Sequence, residues 1–226
     1  MRVLVVAAHP DDEVLGCGGT IAWHVDQGHE VLIYIMAEGA TSRFAAPDRD
    51  AMASELGGLR KSAIQAAAIL GASVIFGNYA DNRMDSVDLL DVIKSVESVV
   101  DDFRPDKIYT HHVGDINIDH QIVHKAVVTA CRPLPGQVVR SLFFFEVPSS
   151  TEWQSPATGL TFAPNWFVLI DTTLERKLQA LKVYEVEMRD FPHSRSITAV
   201  EHLARWRGAC AGVLAAEAFM LGRMIV

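Results

Sequence analysis

Two alternating patterns in the first half of the chain constrain its fold more than any other feature. Short runs rich in β-branched and apolar residues predict strands near 2–8, 30–36, 73–77 and 107–110. Longer amphipathic stretches predict helices near 13–27, 50–70, 86–102 and 119–131. Strands that alternate with helices in this way typically run parallel and are joined by crossover helices. The sequence therefore predicts an α/β fold, in which a Rossmann-like, mostly parallel sheet is flanked by helices.

The pattern of the chain changes near residue 138. Apolar runs at 138–146 and 166–170 predict two further strands, which either extend the edge of the sheet or form a small hairpin. Two helices, near 173–188 and 197–221, are predicted to follow them.

Composition sets the size class of the protein and the class of its partners. The 226 residues, 50% of them apolar, suffice for one domain. We expect this domain to span 1–226, with a Rossmann-like core at about 1–135 and a C-terminal β/helical extension at about 136–226. The net charge of −8 and the lack of any basic run disfavour nucleic acid and anionic membranes as partners. We expect a small-molecule substrate instead.

Targeting signals and cysteine usage indicate a cytoplasmic protein. The first strand begins at once, without a secretory leader, and no uncharged apolar stretch reaches the ~18 residues of a membrane span. Cys17, Cys131 and Cys210 are widely separated and odd in number. This spacing argues against disulfides and against a thiolate zinc site, so we expect free thiols.

A polar cluster follows the first strand directly, as His9-Pro10-Asp11-Asp12-Glu13. Open α/β sheets bind their ligands at the carboxyl ends of the strands, where this cluster would lie. His9 and Asp12 are three residues apart, so at a helix start they project to the same side and can share one metal ion. Alone, the cluster is also compatible with a solvated helix N-terminus, which favours carboxylates.

A third metal ligand is expected from segment 109–120, which follows the fourth strand and is rich in His and Asp. In doubly wound sheets the ends of strands one and four are neighbours, so the two segments would meet. Two imidazoles and one carboxylate leave open positions on a metal, as catalytic sites require. Zinc is the first choice, although this ligand set also accepts iron, cobalt or manganese. Asp11 would then act as general base toward a water.

The chain resembles the PIG-L/LmbE-like zinc-dependent N-deacetylases, a family that includes GlcNAc-PI de-N-acetylases. The resemblance begins with the His9–Glu13 cluster and the Asp119-His120 pair. It continues in Ala-Glu-Gly at 37–39, Phe-Glu-Val-Pro-Ser-Ser at 145–150, Pro-His-Ser-Arg-Ser at 192–196, Arg207-Gly208 and Ala-Glu-Ala-Phe at 216–219. These segments are spread over nearly the whole chain.

The resemblance implies a hydrolase that removes the acetyl group from an N-acetylated amino sugar or its conjugate. It implies that His9, Asp12 and His120 are the zinc ligands and that Asp11 is the general base. Asp119 is expected to lie at the substrate-binding part of the site, where it orients a neighbouring imidazole or another metal ligand. Members of the family often assemble into oligomers, so a homo-oligomer is possible for this chain.

The sequence departs from the family pattern at Asn117, where many members carry a His three residues before the last ligand. Asn can donate a hydrogen bond to an oxyanion but cannot shuttle a proton at neutral pH. His112 and His193 are candidate substitutes for the acid role. Because neighbouring strand residues face opposite ways, only one of the adjacent His111 and His112 is expected to reach the pocket, and we choose His112.

Two arginines, Arg43 and Arg195, are candidates to bind sugar hydroxyls or a phosphate, for which a planar guanidinium is suited. His124, one helical turn after His120, is less suited as a fourth ligand because the site needs an open position.

Two alternative functions remain open at the level of sequence. One branch of the resembled family adds water across a carbon–carbon double bond, and the Asn117 departure keeps open such a metal-dependent hydratase or lyase acting on an unsaturated carboxylic acid. A non-catalytic sugar-binding protein is disfavoured, because it would hold Asp11 unpaired beside a metal for no gain.

Overall fold

The computed structural model describes residues 1–39, 53–155 and 159–226. The strands in these ranges are β1 (Arg2–Ala7), β2 (Glu30–Ala37), β3 (Ser73–Tyr79), β4 (Lys107–His111), β5 (Ser141–Phe145), β6 (Trp166–Leu169) and β7 (Ala216–Met224). The helices are α1 (Asp12–Asp26), α2 (Ala53–Leu70), α3 (Leu89–Phe103), α4 (Ile118–Ala130), α5 (Leu174–Lys182) and α6 (Ile197–Ala211). Each strand and helix predicted for the first half is found, with shifted ends.

The described strands form one seven-stranded sheet in the order β3-β2-β1-β4-β5-β7-β6. The first five run parallel, whereas β7 is antiparallel to both β5 and β6. The Rossmann-like, mostly parallel α/β fold is therefore confirmed. The later strands extend the edge of the sheet, which decides between the two possibilities left open by the sequence. Because β1 pairs with β4, the carboxyl ends of these two strands are neighbours.

Helices cover both faces of the sheet. Val3 and Val5 of β1 face the core shared with α1, α2, α5 and α6. Leu4 and Val6 face the opposite core, shared with α3 and α4. A strand that is buried on both faces needs apolar residues at every position, and this explains the uninterrupted apolar run that opens the chain.

The prediction of a long last helix at 197–221 is wrong. The helix α6 ends at Ala211, where Gly212 adopts a left-handed conformation with φ 74°. The chain then re-enters the sheet as β7, between β5 and β6. The alanines of segment 214–218 favour a helix locally, but the open edge of β5 offers backbone partners that override this preference. The helix predicted at 173–188 is also shorter, since α5 ends at Lys182.

None of the helices that the structure describes is both long enough and apolar enough to cross a bilayer.

Candidate metal centre

Three side chains from the two neighbouring strand ends converge at the carboxyl edge of the sheet. His9 follows β1, Asp12 opens α1, and His120 lies in the first turn of α4. Asp12 Oδ2 lies 3.3 Å from His9 Nδ1 and 3.1 Å from His120 Nε2. The two imidazole nitrogens are 3.3 Å apart. All three side chains are at least nine-tenths buried, so the structure brings together the residues that the sequence proposes as ligands.

The spacing of these three atoms fits a single divalent cation. Nitrogen and oxygen ligands at 2.0–2.2 Å from a tetrahedral zinc lie about 3.3 Å from one another. The observed separations of His9 Nδ1, Asp12 Oδ2 and His120 Nε2 are 3.1–3.3 Å. Two ring nitrogens that face each other and a carboxylate need a proton or a cation between them. The donor set of two imidazoles and one carboxylate is typical of zinc and is accepted by other transition metals.

On each of the two imidazoles, the ring nitrogen that points away from the convergence point faces a carboxylate. The far nitrogen of His9, Nε2, lies 3.0 Å from Asp119 Oδ2. The far nitrogen of His120, Nδ1, lies 3.2 Å from Asp115 Oδ2. Metal-binding histidines commonly direct their second ring nitrogen at a carboxylate, which fixes the tautomer and raises ligand basicity. When a cation is bound, this arrangement favours the ring protons on His9 Nε2 and His120 Nδ1 and directs the lone pairs of His9 Nδ1 and His120 Nε2 at the cation.

Asp119 and Asp115 are themselves held by hydrogen bonds. Asp119 accepts the backbone N–H of Asn82 at 2.7 Å and that of Met84 at 3.0 Å. Asp115 accepts the hydroxyl of Thr151 at 2.7 Å and that of Ser150. These bonds bring loops from the third and fifth strand ends to the candidate metal ligands.

A second group with metal-like spacing, His9, Asp81 and Asp119, shares one histidine with the first. Its atoms have other partners, because Asp119 accepts two backbone N–H groups and His9 Nε2 donates toward it. We therefore interpret this group as the support of His9 and not as a second metal site.

The electrostatic environment at the convergence point favours positive charge. Burial lowers the pKa of His120, but Asp12 and Asp115 outweigh burial and raise it to about 9. Burial raises the pKa of Asp12, yet the neighbouring imidazoles hold it well below its usual value. A site that stabilises an anionic carboxylate and attracts protons to its histidines also attracts a divalent cation.

Asp11 lies beside the ligands with an unusual backbone conformation, φ 102° and ψ −30°. A non-glycine residue in this region is strained, and such strain is maintained only where surrounding contacts impose it. Here Glu13 accepts the Asp11 backbone N–H at 3.1 Å, and Arg195 donates to Asp11 Oδ2 at 3.2 Å. Burial raises the pKa of Asp11 well above its usual value, and Arg195 partly opposes this effect.

Glu13 is buried and serves as the anchor of this strained turn. The hydroxyl of Tyr184 donates to Glu13 Oε1 at 2.6 Å, while Glu13 Oε2 holds the backbone of Asp11. Burial raises the pKa of Glu13 to about 7, although its hydrogen bond with Tyr184 lowers it. Neither Tyr184 nor Asp115 was singled out from the sequence. Tyr184 carries no local signal, because it lies 171 residues from Glu13.

The two adjacent histidines at the end of β4 face opposite ways. The ring of His111 stacks on His120 at 3.9 Å, and His111 Nε2 accepts the backbone N–H of Ala8. The ring of His112, the predicted candidate of the two, packs against Phe162, and its Nε2 lies 3.3 Å from the carbonyl oxygen of Leu160. The structure thus places His111, not His112, against the ligands. The catalytic role of His112 stays a prediction.

The remaining candidates are placed as follows. Asn117 is the N-cap of α4, and its side-chain oxygen accepts the backbone N–H of Asp119 at 2.9 Å and of His120 at 3.4 Å. His193 accepts the backbone N–H of Arg195 and packs against Trp153. Arg195 contacts Asp11 and the hydroxyl of Ser149. Arg43 lies outside the described residues.

Comparison with known proteins connects this geometry to a family. A sequence model described as PIG-L, GlcNAc-PI de-N-acetylase, matches residues 4–131. The uncharacterized deacetylase YaiS of Escherichia coli strain K12 is 28% identical over 190 residues, which are 81% of this chain and 90% of that protein. The 4-oxalmesaconate hydratase of Pseudomonas putida is 30% identical over 178 residues, which are 72% of this chain and 68% of the hydratase.

The fold is shared with a solved deacetylase. The structure of N,N'-diacetylchitobiose deacetylase from Pyrococcus horikoshii matches with a TM-score of 0.77 and 21% identity, covering 98% of this chain and 84% of that one. At this level of identity the likeness concerns the fold.

Proposed function

The chain belongs to the PIG-L family, whose model matches residues 4–131, and from this membership we propose that it is a metal-dependent hydrolase that deacetylates an N-acetylated amino sugar or its conjugate. The observation that carries the proposal is the convergence of His9, Asp12 and His120 within 4.8 Å of one another. Asp11, a carboxylate with a raised pKa, lies beside them.

The proposed ligands are His9 Nδ1, Asp12 Oδ2 and His120 Nε2, with zinc as the expected ion. When bound, the cation supplies Lewis acidity, which polarises the amide carbonyl and makes a water more acidic. In the proposed complex the carboxylates of Asp119 and Asp115, which face the second nitrogens of the two imidazoles, favour the ring protons there, so that the ligating nitrogens keep their lone pairs.

Asp11 is proposed to take a proton from the attacking water and to deliver it to the departing nitrogen, which leaves acetate and a free amine. A base is most efficient when its pKa approaches the working pH, and burial shifts Asp11 in that direction. Arg195 holds Asp11 Oδ2, and thereby orients the carboxylate. Asn117 and Arg195 are the proposed donors toward the oxyanion, while His112 and His193 are proposed as alternative acids.

The substrate class is supported by what the related proteins act on. The description of the family model names GlcNAc-PI, an N-acetylglucosamine conjugate, as the substrate. The protein with a similar fold is an N,N'-diacetylchitobiose deacetylase. Both names point to an acetylated amino sugar. We propose the same class for this chain, together with Arg43 and Arg195 as residues that bind sugar hydroxyls or a phosphate.

A metal-dependent hydratase acting on an unsaturated carboxylic acid is the second candidate. It is supported by the Pseudomonas putida relative, a 4-oxalmesaconate hydratase, and by the Asn at position 117. An amide hydrolase must protonate an amine leaving group, whereas hydration of a double bond releases no such group. Hydration instead delivers a proton to the second carbon of the double bond, so the two activities protonate different atoms and need not share the histidine that is replaced here.

Acetate release from N-acetylglucosamine and N,N'-diacetylchitobiose tests the proposal directly. We expect release that is lost with a chelator and restored by zinc. Asp11→Asn should lower kcat by about 10²- to 10⁴-fold, the usual contribution of a general base, while its metal content stays unchanged. His120→Ala should lose both activity and metal.

The matched control is Asp101→Asn, which makes the same chemical change at an exposed position of α3 and should retain full activity. If Asp11→Asn turns over as fast as the wild type, Asp11 is not the base. Water addition to an unsaturated dicarboxylic acid, without acetate release from either sugar, would replace the deacetylase proposal with the hydratase.

A further inference from the structure

Helix α1, which carries Asp12, is broken one turn after its start. Cys17 has φ −150° and ψ 24°, far from helical values, so Asp12–Gly16 forms a short first segment that is separate from the remainder. A single helical turn has little stability of its own, because nucleation fixes many dihedral angles for few hydrogen bonds. Its position must therefore be imposed by contacts from elsewhere in the fold.

A buried ion pair from two distant elements meets the helix at this break. Lys177 of α5 and Glu217 of β7 are 3% and 4% exposed. Lys177 Nζ donates to Glu217 Oε1 at 2.5 Å. Neither residue contributes to the metal-binding group, so the pair has no part in the chemistry proposed above.

Each member of the pair satisfies backbone groups on one side of the break. Lys177 Nζ donates to the carbonyl of Leu15 at 2.8 Å. Glu217 accepts the backbone N–H of Gly19 at 3.0 Å and that of Thr20 at 2.6 Å. Leu15 and Gly19 are an i, i+4 pair, which a regular helix would join directly. The ion pair thus supplies partners to both groups where the helix is interrupted, and caps the second segment from outside.

The opposite end of the short segment is equally constrained. Asp12 Oδ2 accepts the backbone N–H of His9 at 2.9 Å, and Glu13 is held by the hydroxyl of Tyr184. A Cβ on Gly16 would lie 2.4 Å from the ring of Phe145. Segment Asp12–Gly16 therefore packs closely against Phe145 of the sheet, and it cannot rotate without breaking contacts at both of its ends.

From this geometry we propose that Lys177 and Glu217 are positioning residues, which place the first segment of α1 so that Asp12 reaches the metal and Asp11 reaches the substrate. The proposal rests on the metal site proposed above. A buried ion pair is a weak source of stability, because desolvation offsets most of the attraction. Its hydrogen bonds to backbone groups on both sides of the helix break instead fix where the first segment of α1 lies.

The test measures metal affinity alongside stability. Single variants leave one buried charge unpaired and are expected to fold poorly, so the double variant Lys177→Met/Glu217→Gln is used. It removes both charges, retains side-chain volume, and leaves one amide oxygen for the N–H of Gly19 or Thr20. We expect a folded protein whose zinc affinity, measured by competition with a chromophoric chelator, falls about tenfold or more, the scale of changes to residues that orient metal ligands.

The control is Val100→Ala, a core truncation in α3 on the opposite face of the sheet, which lowers stability without contact with α1. Zinc affinity should be unchanged in this variant. Wild-type affinity in the double variant, or equal losses in both variants, overturns the positioning role while leaving the proposed function intact. If the wild type itself binds no divalent metal, the proposed function fails first.

Discussion

Asp11 illustrates how a single residue in the site depends on contacts that its sequence neighbours do not reveal. Its carboxylate can be proposed from the His-Pro-Asp-Asp-Glu motif, because of the two acids left after the ligands are assigned it is the one that lies between His9 and Asp12. Its strained φ of 102° cannot be predicted from that motif. The strain is maintained by Glu13 on one side and by Arg195, 184 residues away, on the other. Strain of this kind costs about 1–3 kcal/mol and is typical of functional turns.

Asn117 is a second residue for which the tertiary structure adds a role. The sequence predicts that its amide donates to an oxyanion, whereas the structure shows its side-chain oxygen capping the first turn of α4, which carries His120. We expect Asn117→Ala to destabilise the protein by about 1 kcal/mol, the typical loss on removing a cap, and to displace His120.

Asn117→Asp separates the two roles, because aspartate retains the cap but has no amide donor. Stability should stay near that of the wild type in urea unfolding experiments. If activity also persists, the amide donor is dispensable and the cap is the main contribution of Asn117. A loss of activity at unchanged stability would support the predicted oxyanion contact.

At the level of elements, the last 15 residues show why the local sequence pattern predicted a helix where the chain forms a strand. Segment 212–226 contains alanines that favour a helix, yet β7 fills the gap between β5 and β6. The helix end was signalled by Gly212, whose φ of 74° is unfavourable for any residue with a Cβ. The new strand also delivers Glu217 to the break in α1, so the misassigned element supports the candidate metal centre.

The same substitution at two glycines should have opposite effects on stability. We expect Gly212→Ala to destabilise the protein by about 1 kcal/mol, because alanine is strained in the left-handed conformation. Gly57→Ala should stabilise it by about 0.5–1 kcal/mol, since Gly57 lies within α2 and a Cβ there meets no atom within 4 Å. Thermal unfolding gives the direction in which each substitution shifts the melting temperature. Shifts of both variants in the same direction would contradict the assigned conformations.

At the level of the whole molecule, His24 ties the end of α1 to the sheet and makes stability depend on pH. His24 bonds to the hydroxyl of Tyr109 in β4 and to His29. Burial, with smaller effects from Lys107 and His29, lowers its pKa from 6.5 to about 3. The unfolded chain therefore binds a proton below about pH 6.5 that the folded protein rejects until about pH 3.

The contribution of His24 to stability is thus fully present above pH 6.5 and is lost as the pH falls toward 3. We expect the free energy of unfolding of His24→Gln to decline less steeply than that of the wild type between pH 6.5 and 4. Denaturant titrations of both proteins across this range measure the contribution of His24, because the two proteins have all other titrating groups in common. Parallel curves would mean that His24 is not held neutral.

The sequence by itself determined the alternation of strands and helices, the parallel core of the sheet and the residues with metal-binding chemistry. Hydrophobic periodicity and the spacing of His9 and Asp12 are local properties, so they can be read from neighbouring residues. Only the tertiary structure decided which distant groups support them. Arg195 contacts Asp11, Tyr184 holds Glu13, and Lys177 with Glu217 spans the break in α1. These contacts join segments as many as 198 residues apart, and no periodic pattern encodes a pairing over such a separation.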